Sequence, residues 1–404
     1  MISVADADAT IAAHCRTLDA TRVPLDSAHG AVLHQAVVAE RDQPPFDRVT
    51  MDGIAVRWTP QTRTFTSQGN QFAGEPPLKL QSNTSAIEIM TGAVMPSGAD
   101  TVIPVERYAL DAQTRTITLE SGYEPERGQF VHGRGTDHPA GTVLLKPSTV
   151  LGPCDIAVVA SAGLADIESY RQPRVAVIAT GNELVSAGQP IAPHQIRLSN
   201  APAMIAALQL AGINASTSHH LPDEPDVLHS RIGVLLENND VLVLSGGVSR
   251  GKADYVPDVL TALGVEKHFH RVAQRPGKPM WFGSTPAGTL VFGLPGNPVS
   301  TLCCFQRYVM PALRRLSGID PTRAATAERA ALTCDHQFKP ALTQMLPVTL
   351  DSSNGALQAT PRATNTSGDF SALAGTNGFL ELPAERQTFA AGETFALYRW
   401  PASL

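Results

Sequence analysis

The residues best suited to chemistry sit in short glycine-bearing loops, each directly after an apolar run. Ser245-Gly246-Gly247-Val248-Ser249 follows Asp240-Val-Leu-Val-Leu244. Two glycines let backbone N–H groups approach an oxyanion closely, and the flanking hydroxyls add donors. A tight turn before a helix accounts for the same two glycines. Asp254 lies a few residues on. A carboxylate beside a phosphate cradle is useful with a cation between them, usually Mg²⁺. Thr180-Gly-Asn-Glu183-Leu184 also follows an apolar run. Glu183 either caps the next turn or faces the same cleft. Asp223, in Leu-Pro-Asp-Glu-Pro, either starts a turn or joins that cleft.

Cations gather in one place. Arg271, Arg275 and Lys278 fall within HRVAQRPGKP at 270–279. This is either a solvated loop or an oxyanion grip, with arginine offering paired hydrogen bonds and lysine a point charge. Gly293-Leu-Pro295-Gly-Asn-Pro298 is a stiff turn before a helix, with Ser300 in the first helical turn. An anion there would meet free N–H groups and partial positive charge. Upstream, Asp52 in PPFDRVTMDG (44–53), Thr91 in MTGAVMP (90–96) and Asp137 in GRGTD (133–137) lie beside glycines. Composition alone does not single them out.

The elements that must position these loops follow from hydrophobic periodicity. Residues 174–179, 240–244 and 289–292 are apolar runs, polar only at their first residue, as in parallel strands covered on both faces. Helical patterns at about 200–211 and 299–316 alternate with them, so 171–320 reads as a doubly wound α/β domain. Ligands of such sheets sit beyond the carboxyl ends of the strands, where all three loops should converge. Short β-rich runs at 63–67, 86–90, 101–106, 114–119 and 142–145 predict an inserted all-β module. Residues 4–41 read as helical, with Leu25, Ala28, Val32 and Ala36 roughly on one face up to Pro44-Pro45. Helix resumes near 155–162. Runs at 330–333, 345–350, 379–382 and 394–400 predict a small C-terminal β-barrel or sandwich.

Composition excludes several classes. The chain has 404 residues, which suggests two to four domains, and 43% of them are hydrophobic against 17% charged, a profile for large cores. A net charge of −6 gives no general attraction to nucleic acid or anionic membrane, so any groups holding an anion must be local. No apolar run approaches the ~18 residues of a membrane span. The opening MISVADADAT lacks a basic segment followed by a greasy one, so no signal peptide is expected. Cys15, Cys154, Cys303, Cys304 and Cys334 contain no CxxC, and are expected to be reduced, mostly buried thiols of a cytoplasmic protein. HExxH is absent, and the adjacent His219-His220 suits a strand end better than a shared metal.

Taken together, seven segments resemble the molybdopterin molybdenumtransferase family, which includes the E domain of gephyrin. They are PPFD…MDG…AVR at 44–57, EIMTGAVMPSGADTVIPVE at 88–106, GRGTD at 133–137, TGNEL at 180–184, SGGVSRGKADY at 245–255, RPGKP at 275–279 and GLPGNPVS at 293–300. Each is modest alone, but their order and spacing are specific, and they cover essentially the whole chain. The resemblance implies a multidomain α/β plus β fold. Its parts would be an N-terminal helical linker domain (1–45 and 147–170), an inserted β-rich domain (46–146), a molybdopterin-binding α/β domain (171–320) and a C-terminal β-barrel (325–404). It further implies a homodimer whose cleft uses both subunits. The implied reaction inserts molybdate into adenylylated molybdopterin, with Mg²⁺-dependent release of AMP.

The resemblance also assigns roles. Asp223 and Asp254 match acids of the nucleotide–metal site, and Glu183 matches a cleft glutamate. Asp52 and Asp137 match acids that the inserted region brings to the cleft from the partner subunit. Thr91 and Thr180 match substrate-contacting positions, and Ser245, Gly246, Gly247 and Ser249 match a phosphate-holding loop. Arg271, Arg275, Lys278 and Ser300 match oxyanion positions, in a loop shaped by Pro295 and Pro298. The chain departs from the pattern at Val49, Thr50 and Ile54, and at His132, where a further arginine is common. It also departs at KPALTQMLP (339–347), which lacks the family's molybdate-associated arginine. These departures leave a divergent molybdopterin-binding paralogue as the alternative reading. The adenylyltransferase of the same pathway is a candidate partner. As an identity for this chain it fits less well, since it shares the α/β domain without the long N-terminal and C-terminal β parts.

Overall fold

The computed structural model describes residues 1–248, 255–320, 322, 327–352 and 355–401. Its centre is a six-stranded sheet in the order Ser216–Leu221, Val175–Thr180, Val241–Ser245, Leu290–Leu294, Trp281–Ser284, Glu266–His270. Val175–Thr180, Val241–Ser245 and Leu290–Leu294 are buried along their full length. The reason lies in the two-residue side-chain period. Val175, Val177, Ala179, Val241 and Val243 pack in one core with Ile11, Met204, Leu208 and Cys303. Ala176, Ile178, Leu242 and Leu244 pack in a second core with Leu228, Ile232, Val259 and Leu260. Helices therefore cover both faces, as the apolar runs require.

The first four strands run parallel. Trp281–Ser284 runs antiparallel to both neighbours. Only five residues join it to Leu290–Leu294, and a parallel crossover needs a dozen or more. The chain leaves Val175–Thr180 for the strand on one side and returns to Val241–Ser245 on the other. That reversal opens a crevice at the carboxyl ends of these two strands.

The N-terminal region corrects the sequence expectation. Only Val4–His14 is α-helical, with a capping box in which Asp6 N donates to Ser3 Oγ (3.0 Å) and Ser3 N to Asp6 Oδ2 (3.2 Å). The remainder of 4–41 is a single 3₁₀ turn at Leu25–Ser27 and the short strands Ala20–Pro24, Val32–Leu33 and Val37–Val38. Ala20–Pro24 and Val32–Leu33 flank Asp166–Tyr170 in one sheet. Pro24 and the left-handed Gly30 (φ 76°) break any continuous helix. Leu25 and Ala28 turn inward onto Leu151, Val159 and Ile167, whereas Val32 lies in a strand opposite Tyr170. Helix resumes at Pro153–Ser161.

The inserted region is a second six-stranded sheet that includes Gly53–Val56, Ser85–Ile89 and Thr101–Pro104. At the C-terminal end, Thr343–Asp351, Gln358–Pro361, Glu328–Leu332, Thr394–Arg399 and Gly378–Leu382 close into a five-stranded barrel around Leu346, Val348 and Leu380. One short strand of the central region, Gln274–Arg275, also pairs with Thr343–Asp351. A buried arginine ties the parts together: Arg307, in a π-helical turn at Phe305–Val309, donates to both carboxylate oxygens of Asp8 (2.7 Å each) and to Glu381. All five cysteines are free; Cys303 and Cys304 are buried, Cys15 is half-buried, but Cys154 and Cys334 are exposed. Among the described residues no helix is long and apolar enough to cross a membrane.

Candidate functional site

The crevice holds a cavity of about 460 Å³ lined by Thr180, Glu183, Asn200, Ser245, Gly246, Gly296, Asn297, Pro298 and Phe370, among others. Asn200 organises it. Its Nδ2 donates to Gly296 O (2.7 Å), Ser245 Oγ (2.9 Å) and Thr301 Oγ1 (3.1 Å). Gly296 O can only accept, so the atom facing it must be the amide nitrogen. Asn200 Oδ1 is then left buried without a hydrogen-bond partner among the described residues, as is Thr180 Oγ1. Buried polar atoms are nearly always paired. Two orphans in the lining of one cavity suit a ligand carrying hydrogen-bonding groups.

The glycines serve close packing as much as anion contact. Gly246 (φ 100°) lies so close to the first loop that a Cβ would sit 2.7 Å from Thr180 O, and a Cβ on Gly247 (φ 64°) 2.9 Å from Thr180 Oγ1. The Gly246 N–H is already bonded to Leu294 O (3.2 Å). The Val299 N–H, in the first turn of the following helix, is bonded to Ser367 O (3.1 Å). Neither donor is therefore open to an anion.

Glu183 lines the crevice. Asp223 is held beside the same loop, because its N–H donates to Asn182 Oδ1 (3.2 Å). His220 fastens the two strand ends, with Nε2 donating to Gly181 O (2.9 Å). Asp254 and Ser249 lie outside the described residues. Among the described residues no group of three or more His, Cys, Asp or Glu is placed to hold a metal. Glu183 and Asp223 nevertheless offer carboxylate oxygens on adjoining loops, and Thr180 adds an unpartnered hydroxyl. This donor chemistry suits a hard divalent cation.

A second cavity, of about 570 Å³, adjoins the first: Asn297 lines both. Arg275, Lys278, Pro295 and Ser300 line it from the central region, and His336, Gln344, Pro347 and Arg362 from the barrel. The RPGKP loop is anchored from beneath. Buried Gln274 donates to Gly277 O (3.2 Å) and accepts from Tyr308 Oη. Burial pushes the neighbouring Cys304 thiol up to about 12, so it is no nucleophile. Arg271 does not line this cavity. It holds a left-handed turn (φ 78°) whose carbonyl accepts from Ile2 N (3.1 Å).

Asp52 and Thr91 are paired in the inserted region, Asp137 stands against His132 in the same region, and none of the three lines either cavity of the same chain. Asp52 Oδ1 accepts from Thr91 N (2.6 Å) and Thr91 Oγ1 (2.7 Å). These bonds, the backbone one first, hold its carboxyl below the usual range. His132 stands 3.0 Å from Asp137 and 3.3 Å from Arg48.

Sequence reasoning missed two of the lining residues that matter most. Asn200 stands at the start of the helical pattern at about 200–211, where an asparagine ordinarily serves as a cap; in the structure Ser199 occupies the cap position, making no side-chain cap bond. Arg362 carries no signal in a segment without a motif, and only the barrel register brings it to the cavity.

Comparison with known proteins covers the chain nearly end to end. The family model for the MoeA N-terminal region (domain I and II) matches residues 2–163. That for a probable molybdopterin binding domain matches 176–315, and that for the MoeA C-terminal region (domain IV) matches 329–400. A molybdopterin molybdenumtransferase of Synechocystis sp. is 39% identical over 406 residues, covering 99% of this chain and 100% of that one. A molybdopterin molybdenumtransferase of Haemophilus influenzae is 32% identical, covering 92% of each. Among solved structures, a molybdopterin biosynthesis moeA protein from Pyrococcus horikoshii superposes with a TM-score of 0.83 at 29% identity, over 99% of both chains.

Proposed function

The chain belongs to the molybdopterin molybdenumtransferase family, enzymes of molybdenum cofactor biosynthesis, and from that premise we propose that it inserts molybdate into adenylylated molybdopterin with Mg²⁺-dependent release of AMP. One observation carries this reading. Two cavities meet at Asn297, and their chemistry differs. The first offers unpartnered neutral oxygens with a carboxylate at its edge, and suits the pterin-phosphate end of the substrate. The second is walled by cations, and suits a tetrahedral oxyanion. Adjacent compartments bring the two reactants together without a diffusional step, which is where positioning contributes most to rate.

Within this reading Thr180 and Asn200 orient the substrate, and Ser245 keeps the loop in register. Asp223 and Asp254 would hold Mg²⁺, which when bound neutralises phosphate charge. Glu183 faces the same space and is placed to hold a proton or orient water. Arg275, Lys278 and Ser300 receive molybdate. Asp52, Thr91 and Asp137 line neither of these two cavities in their own chain. This supports a homodimer in which each subunit lends them to its partner's cleft. The adenylylated substrate must come from an adenylyl-transferring enzyme acting on molybdopterin. We place the protein in the cytoplasm with that enzyme.

The test is a turnover assay with purified full-length protein, adenylylated molybdopterin, Mg²⁺ and molybdate. Molybdate-dependent AMP release is expected. Tight binding of the pterin substrate without any AMP would replace this reading with that of a molybdopterin-binding paralogue.

A further inference from the structure

The segment 339–347 has no arginine, yet the barrel delivers one to its far end. At Gln344 the long strand Thr343–Asp351 is flanked by Leu382 on one edge and Arg275 on the other. At Val348 it is flanked by Gly378 on that first edge and by Pro361 on the other. Leu382 and Gly378 belong to one unbroken strand, so Arg275 and Pro361 lie along the same edge. Arg362 continues this edge, with its N–H on Pro347 O (2.8 Å). Arg275 and Arg362 thus stand opposite positions 344 and 347, three residues apart, or roughly 10 Å along the strand. Two extended arginine side chains span that distance.

The gap between them opens into the cation-walled cavity, which both side chains line together with Lys278. Among the described residues none of the three makes an ion pair or a side-chain hydrogen bond. In a chain of net charge −6, three unpaired cations around one cavity form a local site for an anion of more than one charge. Lys278 contributes a point charge from the central region. Arg362 contributes a planar pair of donors from the barrel side.

We propose that Arg362 is a molybdate-binding residue, supplying from the neighbouring strand the guanidinium that 339–347 does not provide. This rests on the reading of the second cavity as the oxyanion compartment. The consequence is that oxyanion affinity, rather than pterin affinity, depends on the barrel register at Pro347.

The experiment measures the molybdate dependence of AMP release in the full-length enzyme, with pterin-substrate affinity measured alongside. R362Q should raise the KM for molybdate at least about tenfold, the loss expected for charge-assisted hydrogen bonds. kcat and pterin affinity should hold, and R362K should recover part of the loss. K278Q reports separately on the cavity. If K278Q raises the molybdate KM and R362Q does not, Arg362 is not a ligand and the cavity reading survives. If neither variant moves it, the oxyanion sits elsewhere and both readings fall. An R362Q enzyme with reduced kcat and an unchanged molybdate KM would also overturn the proposal, since that pattern marks a structural role.

Discussion

Asn200 Nδ2 lies 2.9 Å from Ser245 Oγ, joining the start of one helix to the end of a strand 45 residues away. The same nitrogen also holds Gly296 O and Thr301 Oγ1, so a single amide fixes two of the three loops at the crevice. Asn200→Ala should therefore lower kcat/KM by about 100-fold, the scale of effect that an ångström of misplacement produces. Stability should fall by only about 1–3 kcal/mol. Steady-state kinetics beside thermal unfolding separates the two effects. An equal and small change in both would show that Asn200 is a packing residue.

Gly246 cannot accept a side chain. Its φ of 100° is unfavourable to any L-residue, and a Cβ would sit 2.7 Å from Thr180 O. Neither atom can move without separating two parallel strands. Gly246→Ala should cost roughly 2–4 kcal/mol, read by denaturant unfolding. A near-neutral result would mean that the loops are less tightly apposed than described.

The Asp52 carboxyl is held low by Thr91, through its backbone N–H first and its hydroxyl second. Thr91→Val removes the hydroxyl and keeps the N–H, so the Asp52 pKa should rise while staying below the ordinary aspartate value. Carboxyl carbon NMR titration of wild type and variant reads the shift directly. No movement would show that the hydroxyl bond does not form in solution.

Acid sensitivity should centre on Asp240, at the amino end of its central strand. Burial would raise its pKa. The Arg171 guanidinium, bonded at 2.7 Å to each oxygen, and the Arg174 N–H at 2.8 Å outweigh burial and bring it to about 2. A carboxyl depressed on folding stabilises the native state above its unfolded pKa, and that contribution fades as pH falls through the folded value. The window here runs from about pH 4 down to about 2, and the contribution at neutral pH is on the order of 2 kcal/mol. Asp240→Asn should lose that stability at pH 7 and show a flatter acid limb. Parallel acid limbs for the two proteins would contradict the assignment.

Much of the core was legible because the physics was local. Apolar runs at 174–179, 240–244 and 289–292, polar only at their first residue, leave few alternatives to buried strands, and the glycine loops after them had to share one sheet end. The barrel strands and Asn200–Leu210 emerged for similar reasons. The N-terminal segment misled because Leu25, Ala28 and Val32 imitate a helical stripe while Pro24 and Gly30 break it. The Gly246 N–H looked available for an anion but serves Leu294 O, a partner brought in from 48 residues later. Asn200 was hidden because an asparagine at a helix start ordinarily means a cap. Arg362 was hidden because its place depends on strand register between residues that share no motif. Asp254 and Ser249 fall outside the described residues, so their proposed roles rest on the resemblance and on their loop's position in sequence.

The most direct test counts products. With adenylylated molybdopterin and Mg²⁺ present, AMP released and molybdenum incorporated are measured together as molybdate is raised. The two-cavity account predicts one AMP per molybdenum inserted, with both vanishing when molybdate is withheld. AMP release at an unchanged rate without molybdate would contradict it, because the cation-walled compartment would then have no part in the reaction.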